Sequence, residues 1–201
     1  MEKGRKEIFR YRNRGDIMKR KKTVIMLIII YLILAFPFKA LEIIPGFTDV
    51  RPVNMLVPVF GIFFGIPGCL VFAFGNLFMD FVSDSIRWSS IAGLIANFVG
   101  PYFIYKYYNK ISKKPFSLRK GREILTFLVI SFIAAVLEAA IITPSVAIIY
   151  PEVDAKLFAL TVVANTFIFP VLFGMPIIML MHNELGFKIC KDREKDKQEV
   201  S

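Results

Sequence analysis

GIPGCLVFAFGNLFMDFVSDS, residues 65–85, is apolar enough to lie in a bilayer, yet it carries Asn76, Asp80 and Asp84 at four-residue spacing. On a helix that spacing puts the three side chains on one face. Such a face is expensive in hydrocarbon unless it looks into protein or a wet cavity, where intramembrane polar groups usually carry function. The rest of the chain says which setting applies. It has 201 residues, 56% of them hydrophobic, and a mean hydropathy of +0.58. A soluble domain of that size does not carry several runs of about 20 apolar residues. The sequence therefore reads as an all-α integral membrane protein.

Six transmembrane helices are expected: Thr23 to Ile43, Arg51 to Phe64, Pro67 to Ser83, Ser89 to Tyr107, Glu123 to Thr143 and Lys156 to Met181. The second one is short, opens at Pro52 and contains Pro58, so it should tilt or stop part-way across, packed among its neighbours. The first apolar run follows a long basic tail and lacks a small-residue cleavage site, which reads as a retained helix. Residues 1–22 and 183–201 are then cytoplasmic tails on a membrane domain of residues 23–182. The small-residue pairs Gly61/Gly65, Ala92/Ala96 and Ala135/Ala139 allow close helix approach.

The net charge of +10 would suit nucleic acid, but its placement does not. Of 26 Lys and Arg, ten lie in Met1 to Lys22, seven between Lys106 and Arg122, and five after Asn183. These clusters sit at alternate ends of the apolar segments, the pattern by which Lys and Arg fix the cytoplasmic side. Six crossings put both termini on one face. The expected setting is the cell (plasma) membrane with both termini cytoplasmic, and no nucleic acid partner.

Topology gives each intramembrane polar group a depth at about 1.5 Å per residue. Asn76 and Asn97 fall near mid-membrane, and Asp80, Glu138, Thr161 and Asn165 in the outer half, with Arg51 and Asn54 opening the second segment from outside. These eight are the candidate ligand-binding residues, walls of a polar cavity open to the exterior. The competing reading is that the amides merely join helix to helix. The carboxylates Asp80 and Glu138 are harder to explain that way, because a buried unpaired acid is costly. Two acids against the one nearby Arg51 favour a cationic or donor-rich ligand, such as a nitrogen heterocycle.

No catalytic constellation, metal site or cofactor motif emerges: there is no nucleophile with a base, no His pair and no glycine-rich phosphate loop. Cys69 and Cys190 have no metal or disulfide spacing. His182 reads as an interfacial residue, and Trp88 as part of an interfacial aromatic belt.

The stretch DVRPVNMLVPVFGIFFGIPGCLVFAFGNLFMDFVSD, with GLIANFVGPYFIY after it, resembles the substrate-binding S components of energy-coupling factor (ECF) transporters. The likeness lies in the Arg51-Pro52 opening, the FGIPG connection and GNLFMD, and in size and helix count across the chain. It implies a small-molecule substrate, vitamin-like, and as partners a membrane coupling protein and cytoplasmic ATPase subunits. Members often carry small residues four apart on the first helix, where the coupling protein docks. Here Ala35 and Ala40 are five apart, so no docking site is assigned. Two other classes compete. A membrane sensor or scaffold would normally continue into a cytoplasmic signalling domain, and the tail after Asn183 is short. A small ion-coupled secondary transporter could use Asp80 and Glu138, but no internal repeat supports it.

Overall fold

A single glycine folds the longest apolar run in two. In the computed structural model, which describes residues 21–38, 42–44, 48–112 and 116–190, four helical stretches are by length and composition apolar enough to cross a bilayer: Lys21–Phe38, Pro52–Val82 (which Gly65 divides), Gly121–Ile149 and Ala155–Glu184. The tail before Lys21, Lys39 and Ala40, Lys113 and Lys114, and the charged residues after Cys190 lie outside the described residues.

Helix α1, Lys21–Phe38, is shorter than expected. Pro37 sits in a terminal 3₁₀ turn, Phe36–Phe38, and the chain then leaves the helix instead of continuing to Ile43. Proline removes a donor and restricts the residue before it, which suits a helix end. Glu42–Ile44 (β1) pairs antiparallel with Thr48–Asp49 (β2) in a small ribbon packed on the last helix. Along α1 only one stripe is buried, Leu27, Tyr31 and Ala35, each four residues on from the last. Tyr31 meets Phe72 edge-on with ring centres 5.3 Å apart.

Helix α2, residues 52–64, opens with Pro52 in a 3₁₀ turn and closes with a π-turn, Phe60–Phe64. Gly65 then adopts φ 61° and ψ −141°, a region essentially reserved for glycine. The chain reverses there into α3, Gly65–Val82. The reversal is visible in the contacts: a Cβ on Gly68 would lie 2.5 Å from the Phe60 carbonyl oxygen, and Arg51 bonds Asn76 at 3.1 Å. In one straight helix, residues 51 and 76 would be roughly 37 Å apart. The apolar run Pro52–Val82 is therefore a hairpin of two arms.

Helix α4, Ser89–Lys106, continues through a π-turn, Tyr107–Ile111. Helix α5, Gly121–Ile149, runs past Pro144, where the expected segment stopped at Thr143. Packing overrides the lost hydrogen bond, because Val146 beyond the proline is buried against Val153 and Phe158. Helix α6, Ala155–Glu184, is capped by the Asp154 carboxylate, which accepts from the backbone N–H groups of Lys156 (2.8 Å) and Leu157 (3.1 Å). Helices α3, α4, α5 and α6 pack as sequential neighbours, while α2 lies against α4 and the Pro170–Gly174 π-turn of α6.

The described part of the C-terminal tail is exposed over 185–188 but its end packs on the bundle. Ile189 is fully buried, Phe187 meets Phe63 with ring centres 6.5 Å apart, and Cys190 Sγ lies beside the Gly65 turn. His182 lies between two backbone carbonyls. Its Nδ1 is 2.8 Å from the Phe187 carbonyl oxygen and its Nε2 is 2.9 Å from that of Phe116, so one ring ties the α4–α5 loop to the tail.

Candidate functional site

Helix α4 packs on α5 through glycines that leave room for larger side chains: Gly93 faces Ile142, and Gly100 faces Glu138. Glu138 is only 3% exposed. Its Oε1 occupies the space that a Cβ on residue 100 would need, so Gly100 is the cradle for this carboxyl. No larger side chain fits there without moving it.

From this carboxyl a chain of side chains crosses the bundle. The Thr166 hydroxyl on α6 donates to Glu138 Oε2 at 3.2 Å, and Asn54 Nδ2 on α2 donates to Thr166 Oγ1 at 3.2 Å. Arg51, at the opening of α2, donates its backbone N–H to Asn165 Oδ1 at 3.2 Å and a guanidinium N–H to Asn76 Oδ1 at 3.1 Å. The local sequence explains why α2 can serve both links. The 3₁₀ turn holds the two close, its Asn54 N–H donating to the Arg51 carbonyl at 3.0 Å. On α4, Asn97 Nδ2 donates to the Gly93 carbonyl at 2.7 Å.

These groups surround a cavity of ≈ 40 Å³ lined by Arg51, Asn54, Asn97, Glu138, Asn165 and Thr166, with Ala96, Ile142, Phe158 and Val162 as its apolar walls. Polar side chains from four helices thus converge in an apolar bundle. Glu138 Oε1 has no hydrogen-bond partner, as is also true of Tyr108, Ser131 and Thr143 oxygens, and it is the carboxyl oxygen in that set.

Of the eight residues expected from sequence, Arg51, Asn54, Asn97, Glu138 and Asn165 line this cavity, and Asn76 reaches it through Arg51. Thr161 and Asp80 do not line it. The Thr161 hydroxyl turns back to the Leu157 carbonyl of its own helix at 2.8 Å. Asp80 lies at the α3–α4 turn, where its backbone carbonyl accepts from Ser85 N–H at 2.8 Å and its Oδ2 is 3.5 Å from the Ser90 hydroxyl. Depth along α3 was readable, but the direction in which residue 80 points was not. The excess of two acids over Arg51 is thereby lost from the cavity. Thr166, absent from the expected set, is the residue that joins Asn54 to Glu138. Its sequence signal was its place beside Asn165.

No protein-family model, curated protein or solved structure matches the chain.

Proposed function

We propose that this chain is the substrate-capturing membrane subunit of an importer of the ECF type, taking up a small organic micronutrient that carries a donor-rich nitrogen group. In this reading all six helices α1–α6 cross the membrane, α2 being the short one, and both termini are cytoplasmic. The observation that carries it is the convergence of Arg51, Asn54, Asn97, Glu138 and Asn165 on one buried cavity in an apolar helical bundle. Pockets for drug-sized ligands occupy roughly 300–1,000 Å³. A cavity of ≈ 40 Å³ therefore admits one group of such a ligand, and the rest requires the helix ends around Arg51 to part.

The chain carries no phosphate-binding loop, so energy would come from partner ATPase subunits joined through a membrane coupling protein. Affinity purification from the native membrane tests this. Co-purification of nucleotide-binding subunits in fixed ratio is the expected result. ATP-driven uptake by liposomes containing this chain alone would contradict it.

A second reading, a small ion-coupled transporter, draws on one observation: the unpartnered Glu138 oxygen beside a cavity of ≈ 40 Å³. It predicts gradient-driven uptake without any partner subunit. A dissipated ion gradient that leaves uptake unchanged removes it.

A further inference from the structure

The hydrogen bonds around the cavity have a direction. Asn54 turns its amide nitrogen to Thr166, and Asn97 turns its nitrogen to the Gly93 carbonyl. Each arrangement points the amide oxygen away from that partner. Thr166 commits its hydroxyl hydrogen to Glu138 Oε2, which fixes this carboxyl oxygen as an acceptor. The other carboxyl oxygen, Oε1, is buried without a partner. Arg51 sends a guanidinium N–H to Asn76, a residue of α3 that does not line this cavity but lines a neighbouring void of ≈ 10 Å³. Arg51 lines both spaces, with one guanidinium N–H given to Asn76, and Glu138 Oε1 is the buried carboxyl oxygen of the larger one that no donor meets.

A buried acceptor without a donor is costly, and a carboxyl oxygen more than most. The group that relieves it must bring N–H or O–H hydrogens into a space of ≈ 40 Å³, more than the roughly 10–15 Å³ that one water needs. A neutral hydroxyl would satisfy the hydrogen bond alone. A protonated amine satisfies the hydrogen bond and the charge together, and its several N–H groups match several acceptors.

We infer that this cavity is a subsite for an ammonium group of the ligand, held by Glu138 with the side-chain oxygens of Asn54 and Asn97 as further acceptors. The inference rests on the ligand-capture reading and gives it a substrate class: small molecules bearing a primary or secondary amine. Gly100 is the positioning residue, since any side chain there displaces the Glu138 carboxyl.

Equilibrium dialysis of the purified full chain against radiolabelled methylammonium tests the inference, with tetramethylammonium as competitor. The two ions share a charge, but only methylammonium has N–H hydrogens. Retained methylammonium should be displaced by its unlabelled form at least about tenfold more effectively than by tetramethylammonium. Glu138→Gln should lower retention by about tenfold or more, and Asp154→Asn should not change it. Equal competition by tetramethylammonium, full retention in Glu138→Gln, or no retention by the unaltered chain would each overturn the inference. Should Glu138→Gln fail to fold, the two-ion comparison on the unaltered chain decides alone. The two readings fail separately. A chain that ignores methylammonium yet brings down ATPase subunits loses this inference only, whereas one that retains methylammonium without such partners loses the importer assignment.

Discussion

The two ends of the bundle use polar side chains in opposite ways. Around Arg51 and Glu138, side chains other than Asn97 bond side chains of neighbouring helices, enclose a cavity, and leave a carboxyl oxygen unmet. Around Gly65 and His182, polar side chains bond backbone carbonyls: Asn109 donates to the carbonyls of Ile62 (3.3 Å) and Tyr105 (3.2 Å), and His182 bridges those of Phe116 and Phe187. Aromatic rings fill the space between, with Tyr108 and Phe116, then Phe116 and His182, meeting edge-on at 5.1 and 5.0 Å. Side chains spent on backbone carbonyls fasten a fold, because those carbonyls would otherwise be orphaned by the π-turns and loop ends. In the proposed reading the first end, whose side chains bond one another, recognises a ligand, and the second holds the fold.

Substitutions can break that contrast. The largest expected effect is on ligand capture: Glu138→Gln should weaken it by about 1.5–3 kcal/mol, the worth of a charge-assisted hydrogen bond, with little loss in melting temperature. Unchanged affinity would merge the two ends into one structural class. Gly65→Ala comes next and should act on stability alone. It forces a side chain into a positive-φ conformation against the Tyr105 ring, 3.1 Å from the new Cβ, at a cost of about 1–3 kcal/mol. Its melting temperature in detergent should fall while the folded fraction still captures ligand. His182→Ala removes both carbonyl contacts and should cost about 1 kcal/mol, read as faster proteolysis of the chain end after Glu184, again with capture intact. The smallest effects should come from Asp80→Asn and Asp154→Asn. Asn caps a helix about as well as Asp, so the second should stay within about 0.5 kcal/mol of the parent. A large loss of capture in Asp80→Asn would place that carboxyl in the site after all.

How much of this was legible in sequence depends on which physical quantity each feature reflects. Long apolar runs report burial in lipid or core, and they marked the helices. The GIPG break marked the hairpin turn, since a glycine flanked by apolar residues and followed by proline is a poor helix interior. The helix ends at Phe38 and Ile149 were not legible, because hydropathy does not change at either place. Pro37 ends α1, whereas Pro144 is carried through α5 by the packing of Val146. Arg51, Asn54, Asn97, Glu138 and Asn165 stood out because each is polar inside an apolar run. Thr166 did not, because a helical Thr can satisfy itself on its own backbone, as Thr161 does. Only a neighbour from another helix separates the two. Asp80 shows the converse: spacing fixes the face a residue shares with Asn76, not what that face meets at each level. His182 was opaque for a simpler reason, since Phe116 lies 66 residues away in the chain.

The central claim is that the Arg51–Glu138 end captures a small amine and the His182 end does not take part. Mass spectrometry of small molecules released on denaturing the purified chain addresses it directly, with the parent, Glu138→Gln and His182→Ala isolated from the same cells. The account predicts one amine-bearing molecule in near-stoichiometric yield from the parent and from His182→Ala, and its loss from Glu138→Gln. An equal yield from Glu138→Gln, or no such molecule from the parent, would contradict it.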